Sequence, residues 1–153
     1  MRYLAMGVLL CLTANTFAEE RTARFEGGLA AESALRKTVR VNINPRSAYV
    51  ATGVIVAIDR ARFPKLLRED EVAVLTAAHV ADRLGWAREI TVQGIDFSGP
   101  KGDQKISFSE EFTARLVMLP NQPGPDIALL AASIPKQLFE EGRYQVATRC
   151  DLC

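Results

Sequence analysis

The segment from Val72 to Val80 reads Val-Ala-Val-Leu-Thr-Ala-Ala-His-Val and decides how the rest of the sequence is interpreted. Its apolar run passes into small residues and then presents His79, the single histidine of the 153-residue chain. A metal site needs several ligands, so chemistry at His79 has to use another residue type. The best candidate is Asp126, which follows Pro125 and opens a second apolar run, Ile-Ala-Leu-Leu.

The segment 71–88 has two interpretations when periodicity alone is considered. It is rich in alanine, and Val72, Leu75 and His79 would share one face of a helix, so a single amphipathic helix is possible. The alternative is a strand that ends near Thr76 and is followed by a short helix. Periodicity does not choose between them.

Several other segments alternate apolar and polar residues, as half-buried strands do. Gly53 interrupts one long apolar run and indicates a bulge or a close backbone approach. About six strands with short turns, and no long helices between them, predict an all-β barrel or sandwich. Alternation predicts strands at residues 39–43, 49–58, 89–93, 106–108, 112–118 and 126–130, with short helices at 30–36 and 133–139 and a loop at 97–103.

The Leu-Thr-Ala-Ala-His segment and the later Asp-Ile-Ala-Leu-Leu segment, in this order, resemble the trypsin-like (chymotrypsin-fold) serine peptidases. The resemblance covers roughly residues 39–132 and implies the first six-stranded antiparallel barrel of the family's two-barrel fold. It also favours a strand at 71–76 followed by a short helix at 78–84 over the single helix. It also implies that His79 is the general base and that Asp126 is the acid that orients it. Val80 stands where many animal members have a cysteine, so bacterial members are the nearer likeness.

The family's third catalytic residue, a serine in a Gly-Asp-Ser-Gly-Gly setting, does not occur in this sequence. Ser98 lies between His79 and Asp126, whereas this type of triad runs in the order His, Asp, Ser. It also lacks the second glycine, so we interpret it as a loop serine. The oxyanion hole and the specificity pocket, which the family builds from its second barrel, are missing as well.

These observations indicate the N-terminal half of a serine endopeptidase that is inert alone, with an exposed apolar patch where a second barrel would pack. The polypeptide substrate would bind only when that barrel is present. One alternative is a non-catalytic barrel that serves as a binding or inhibitory module; another is a dimer that receives a serine in trans. Taken singly, His79 could be an ordinary buried or surface residue, and Asp126 a turn residue after Pro125.

The N-terminus has the features of a secretory signal peptide over residues 1–18, with a basic start, an apolar stretch and a small-residue cleavage site. A buried N-terminal helix or a lipid anchor on Cys11 are weaker alternatives. We therefore expect a secreted or periplasmic protein, with a leader segment at 19–36 and the barrel domain at 37–153. No further membrane association is expected after removal of the signal.

The composition, with 48% hydrophobic residues, allows one buried core. Removal of Arg2 with the signal leaves 18 basic and 18 acidic residues, so nothing directs the protein to nucleic acid or to an anionic membrane. Cys150 and Cys153 lack the further ligands of a zinc site, and a local disulfide is the better interpretation in an exported protein. We expect no cofactor and no metal; the oligomeric state is left open.

Overall fold

The computed structural model describes residues 23–43, 50–79, 89–118 and 125–148. Within these ranges, nine strands and two helices have defined bounds. In chain order they are β1 (Ala23–Arg24), α1 (Leu29–Arg36), β2 (Thr38–Ile43), β3 (Val50–Val56), β4 (Val72–Thr76), β5 (Ile90–Gln93), β6 (Ile95–Ser98), β7 (Lys105–Phe108), β8 (Phe112–Met118), β9 (Ala128–Ala132) and α2 (Lys136–Glu140).

Six of the strands form a closed barrel in the order β2-β3-β4-β9-β8-β5, and every pair, including the closing pair β5 and β2, is antiparallel. The remaining strands form a small sheet in the order β1-β7-β6. The predicted all-β class, with a six-stranded antiparallel barrel and one or two short helices, is confirmed.

Alternate residues of the barrel strands point inward, and they produce a closely packed core. Val41, Ile55, Val74 and Leu130 are completely buried. A methyl group added to Gly53 would lie 2.5 Å from Cγ1 of Val74, so the predicted close approach is confirmed. The pairing of β2 with β3 is regular across this glycine, so the bulge considered beside it is not there.

The segment Val72–Thr76 is a strand, and the competing single helix is therefore wrong for these residues. The strand pairs with β3 on one side and with β9 on the other, so both of its edges are satisfied by hydrogen bonds. Its valines fit this buried position, where β-branched side chains pack well. Ala78 and His79 are helical, as the start of the predicted short helix requires.

Two predicted boundaries need correction. Phe97 and Ser98 belong to β6 and not to a loop, because the ring of Phe97 packs edge-on against Phe25 and β6 pairs with β7. The last strand begins at Ala128, two residues after the predicted start at Asp126, which lies in the preceding turn.

The two described helices agree with the predicted ones to within three residues. Helix α1 covers the predicted segment 30–36, and α2 starts after Pro135 rather than at Ser133. The part of the predicted leader that is described packs against the domain: Ser33 Oγ donates to the side chain of Gln145 over 2.9 Å.

Some sequence predictions concern residues outside the described ranges. These are the signal peptide at 1–18, the first residues of the leader at 19–22, the turn at 44–47, most of the helix after His79, and the cysteines Cys11, Cys150 and Cys153. In the described ranges, neither helix has the length and apolar character that crossing a membrane requires.

Candidate active site

The barrel topology brings His79 and Asp126 to the same edge. Thr76, the last residue of β4, pairs with Ala128, the first residue of β9. His79 follows β4 by three residues, and Asp126 precedes β9 by two. Because the two strands are antiparallel neighbours, these short extensions have to meet.

The carboxylate of Asp126 makes two contacts with His79. Its Oδ2 lies 2.6 Å from Nδ1 of the imidazole, and its Oδ1 accepts the backbone N–H of His79 over 2.7 Å. One carboxylate therefore fixes both the backbone and the ring of the same residue. The bonded N–H belongs to the start of a helix, where backbone donors lack partners within the helix.

The same contacts keep Asp126 ionised. They hold its pKa below the ordinary value of an aspartate; the hydrogen bond from the His79 ring has the largest effect, and the backbone N–H of His79 comes next. An ionised acceptor at Nδ1 requires a proton on that nitrogen. In the neutral ring, Nε2 then carries a free lone pair that can take up a proton.

The surroundings of the two residues support their positions. The backbone N–H of Ile127 donates to the carbonyl of Pro125 over 2.8 Å, which makes a tight turn around Asp126. On the other side, Thr76 Oγ1 donates to the carbonyl of Thr52 over 3.0 Å and fixes the end of β4. Ala78, beside His79, is buried in the core. One hydrogen bond within the turn and two contacts with the barrel thus hold the segments that carry the pair.

The pair is open to solvent, with 72% of the His79 side chain and 57% of the Asp126 side chain exposed. In the described part of the chain, no hydroxyl group hydrogen-bonds to the imidazole. Ser98 lies in β6, in the small sheet outside the barrel. The geometry can therefore orient a proton acceptor, but the described residues bring no nucleophile to it.

An apolar groove lies next to this site on the outer face of the barrel. We call it the outer groove; its volume is about 800 Å³. Phe63, Met118 and Ile127 line it and are each about half exposed. It reaches the candidate site because Pro125 and Ile127, on either side of Asp126, both belong to its wall. The other lining residues are Val56, Ala57, Ile58, Asp59, Leu66, Leu75, Ala128 and Leu129.

Within the described ranges, no group of three His, Cys, Asp or Glu residues is arranged to hold a metal ion. Comparison with known protein families and with curated protein sequences gives no match to this chain. The assignment of roles to His79 and Asp126 therefore depends on their geometry and on the motifs that surround them.

Proposed function

We propose that this chain supplies the histidine and aspartate of an exported trypsin-like serine endopeptidase, and that a second β-barrel supplies the serine. The observation that carries the proposal is the double contact of Asp126 with the ring and the backbone of His79. Such a contact sets the orientation and the tautomer of a general base, which is what an oriented catalytic histidine requires.

In this proposal, Nε2 of His79 takes the proton from the attacking serine hydroxyl and later gives it to the leaving amine. Asp126 holds the Nδ1–H and stabilises the imidazolium while it exists. The tetrahedral intermediate needs N–H donors for its oxyanion, and these would come from the second barrel together with the serine.

The surface around His79 and Asp126 supports the proposal that another domain packs on this side of the barrel. A catalytic pair works best where water is excluded, and both side chains here are more than half exposed. The outer groove beside them is an apolar surface of the kind that marks a protein interface. One packing partner on this side of the barrel would cover both features.

The first experiment is to read the nucleotides beyond codon 153 in all frames. We expect a coded Gly-x-Ser-Gly within roughly the next hundred codons, since a second barrel would be of similar size to the first. If no frame contains it, the peptidase proposal fails.

The second experiment expresses this chain together with the second barrel that carries the serine and measures peptide hydrolysis. His79→Ala should then lower kcat by about 10⁴- to 10⁶-fold, as removal of one member of a triad does. Glu69→Gln changes an exposed carboxylate away from the site and should leave kcat unchanged. Equal activity in the wild type and in His79→Ala would exclude the catalytic role.

A non-catalytic binding or inhibitory module is the second candidate, and the closed barrel favours it. The core is complete within one ring of six strands, so the fold does not depend on a second barrel. This candidate predicts a soluble chain that unfolds cooperatively. The peptidase proposal predicts self-association through the outer groove, which sedimentation at increasing protein concentration would measure.

A further inference from the structure

The carboxylate of Glu71 accepts three hydrogen bonds although it lies directly before β4 at the barrel surface. Its Oε1 accepts Nε of Arg115 over 2.7 Å, and its Oε2 accepts Nη2 of Arg115 over 2.6 Å and the backbone N–H of Arg68 over 2.8 Å. Only 3% of the Glu71 side chain is exposed. The hydrogen bonds from Arg115 are the largest cause that lowers its pKa from 4.5 to about 2.

This ion pair joins two strands that are not neighbours. Arg115 lies on β8 and Glu71 adjoins β4, with β9 between them. Arg115 pairs with Ala131, and Ala131 pairs with Ala73, so the arginine side chain has to cross the outer face of β9 at Ala131. Neighbouring strands are about 4.8 Å apart, and a long arginine can reach across one strand only where the residue below it is small.

The same pair fixes the base of the β3–β4 connection, residues 59–70, which we call the lid loop. Arg115 Nη2 also donates to the carbonyl of Leu66, over 3.3 Å. Within the loop, Arg60 donates to the carbonyls of Arg68 and Glu71, over 2.9 and 2.5 Å. These hydrogen bonds converge on the end of the loop that is closest to Glu71.

The rest of the lid loop has few attachments. Leu66 and Leu67 pack on an apolar cluster formed by Val56, Ala73, Leu129 and Ala147, whereas residues 59–65 are exposed. Phe63 and Leu66 of this loop form one wall of the outer groove. Pro125 and Ile127 also line the groove, so its shape depends on where the lid loop lies.

We propose that Glu71 and Arg115 form a latch that closes the lid loop over the outer face, and that the loop opens as a local unit while the barrel stays folded. Opening the latch removes one wall of the outer groove and exposes the cluster under Leu66 and Leu67. The inference depends on the contacts of the loop and not on the proposed peptidase function.

Native-state hydrogen exchange of the purified chain tests the latch. Three amides report on the lid loop, because Phe63, Leu66 and Glu71 donate to carbonyls within or next to it. Val41 and Val92 report on the barrel. In the wild type, the lid amides should exchange through an opening that is insensitive to low urea, while exchange of the barrel amides follows global unfolding.

The variant Glu71→Gln should accelerate exchange of the lid amides by about 100-fold, since it removes the charge that binds Arg115. Glu69→Gln, an exposed carboxylate in the same loop, should accelerate none of them. If the lid amides exchange with the same urea dependence as the barrel amides, or if Glu71→Gln leaves their exchange unchanged, the loop is not a separate unit and the proposal is overturned.

A milder variant keeps the test decisive if Glu71→Gln does not fold. Arg115→Lys retains a positive charge but loses the paired N–H groups that bind both carboxylate oxygens. Its lid amides should exchange about tenfold faster, through an opening that remains insensitive to low urea. Lid amides that follow the urea dependence of the barrel amides in this variant would again contradict a local opening.

Discussion

The strand pair β4 and β9 has an acid–base pair at each end, and the two pairs differ in almost every respect. At one end, Glu71 is 3% exposed and binds Arg115 through both carboxylate oxygens. At the other end, Asp126 binds His79 while both side chains remain mostly in water. The first pair is completed by contacts within this chain, and the second has an open side.

The difference indicates different uses of the two pairs. A buried carboxylate with three donors fixes the segments that supply them, and removal of one partner leaves a charge that water cannot reach. An exposed pair contributes little to stability because water screens it. Asp126 nevertheless binds a single residue through both carboxylate oxygens, which is the arrangement expected of an acid that orients a base.

The largest effect on stability is expected at the end of the strand pair that carries Glu71 and Arg115, which we call the closed end; the end with His79 and Asp126 is the open end. Arg115→Met leaves Glu71 buried without this partner. We expect the free energy of unfolding to fall by about 2–3 kcal/mol at pH 7; the partial exposure of Arg115 keeps this loss below that of a fully buried pair. Urea denaturation measures it. The double variant with Glu71→Gln should recover part of the loss, because no buried charge is then left unpaired. A double variant as unstable as the sum of the single variants would contradict this account.

Between the two ends, the barrel interior should respond almost as strongly. Gly53→Ala places a methyl group 2.5 Å from Cγ1 of Val74 in the middle of β4, and overpacking of this kind costs about 2 kcal/mol. Thr52→Ala, at the neighbouring exposed position, should cost about 0.5 kcal/mol or less. Thermal unfolding of both variants measures these two losses of stability. Equal costs would mean that the interior has room that the structure does not show.

Low pH should selectively weaken the interaction between Glu71 and Arg115. The pKa of Glu71 is about 2 in the folded protein and 4.5 without these contacts, so the unfolded chain binds more protons between these values. The stabilising contribution is complete above pH 4.5 and is lost as the pH falls towards 2. We expect the stability difference between the wild type and Glu71→Gln to shrink by about 1–2 kcal/mol over this range. A difference that does not change with pH would contradict the assignment.

Much of the closed barrel could be predicted from the sequence, because alternation is a local property. Residues 112–118 alternate clearly, and β8 has these bounds. The motif around His79 was informative in the same way, since the strand, the small residues and the histidine are consecutive. Once the strand order is known, the meeting of His79 and Asp126 follows from the register of β4 and β9.

Other features depend on contacts between residues that are far apart in the sequence, and no local sequence pattern predicts them. Phe97 and Ser98, the second half of β6, were predicted as loop residues because Gly99, Pro100 and Gly102 follow them closely, while Phe25, which packs against Phe97, lies more than seventy residues earlier. Glu71 and Arg115 are 44 residues apart and meet across a third strand. Each looks like an ordinary surface charge in the sequence, so the latch becomes visible only in three dimensions.

The smallest effect on stability, and the most direct test of the proposed base, concerns the open end. Two-dimensional ¹H–¹⁵N NMR of the His79 ring, at a pH where the ring is neutral, reports which nitrogen carries the proton. We expect the proton on Nδ1 in the wild type, and loss of this preference in Asp126→Asn with no measurable change in the denaturation midpoint. A wild-type ring protonated on Nε2, or a tautomer unaffected by Asp126→Asn, would contradict the claim that Asp126 orients His79 as a base.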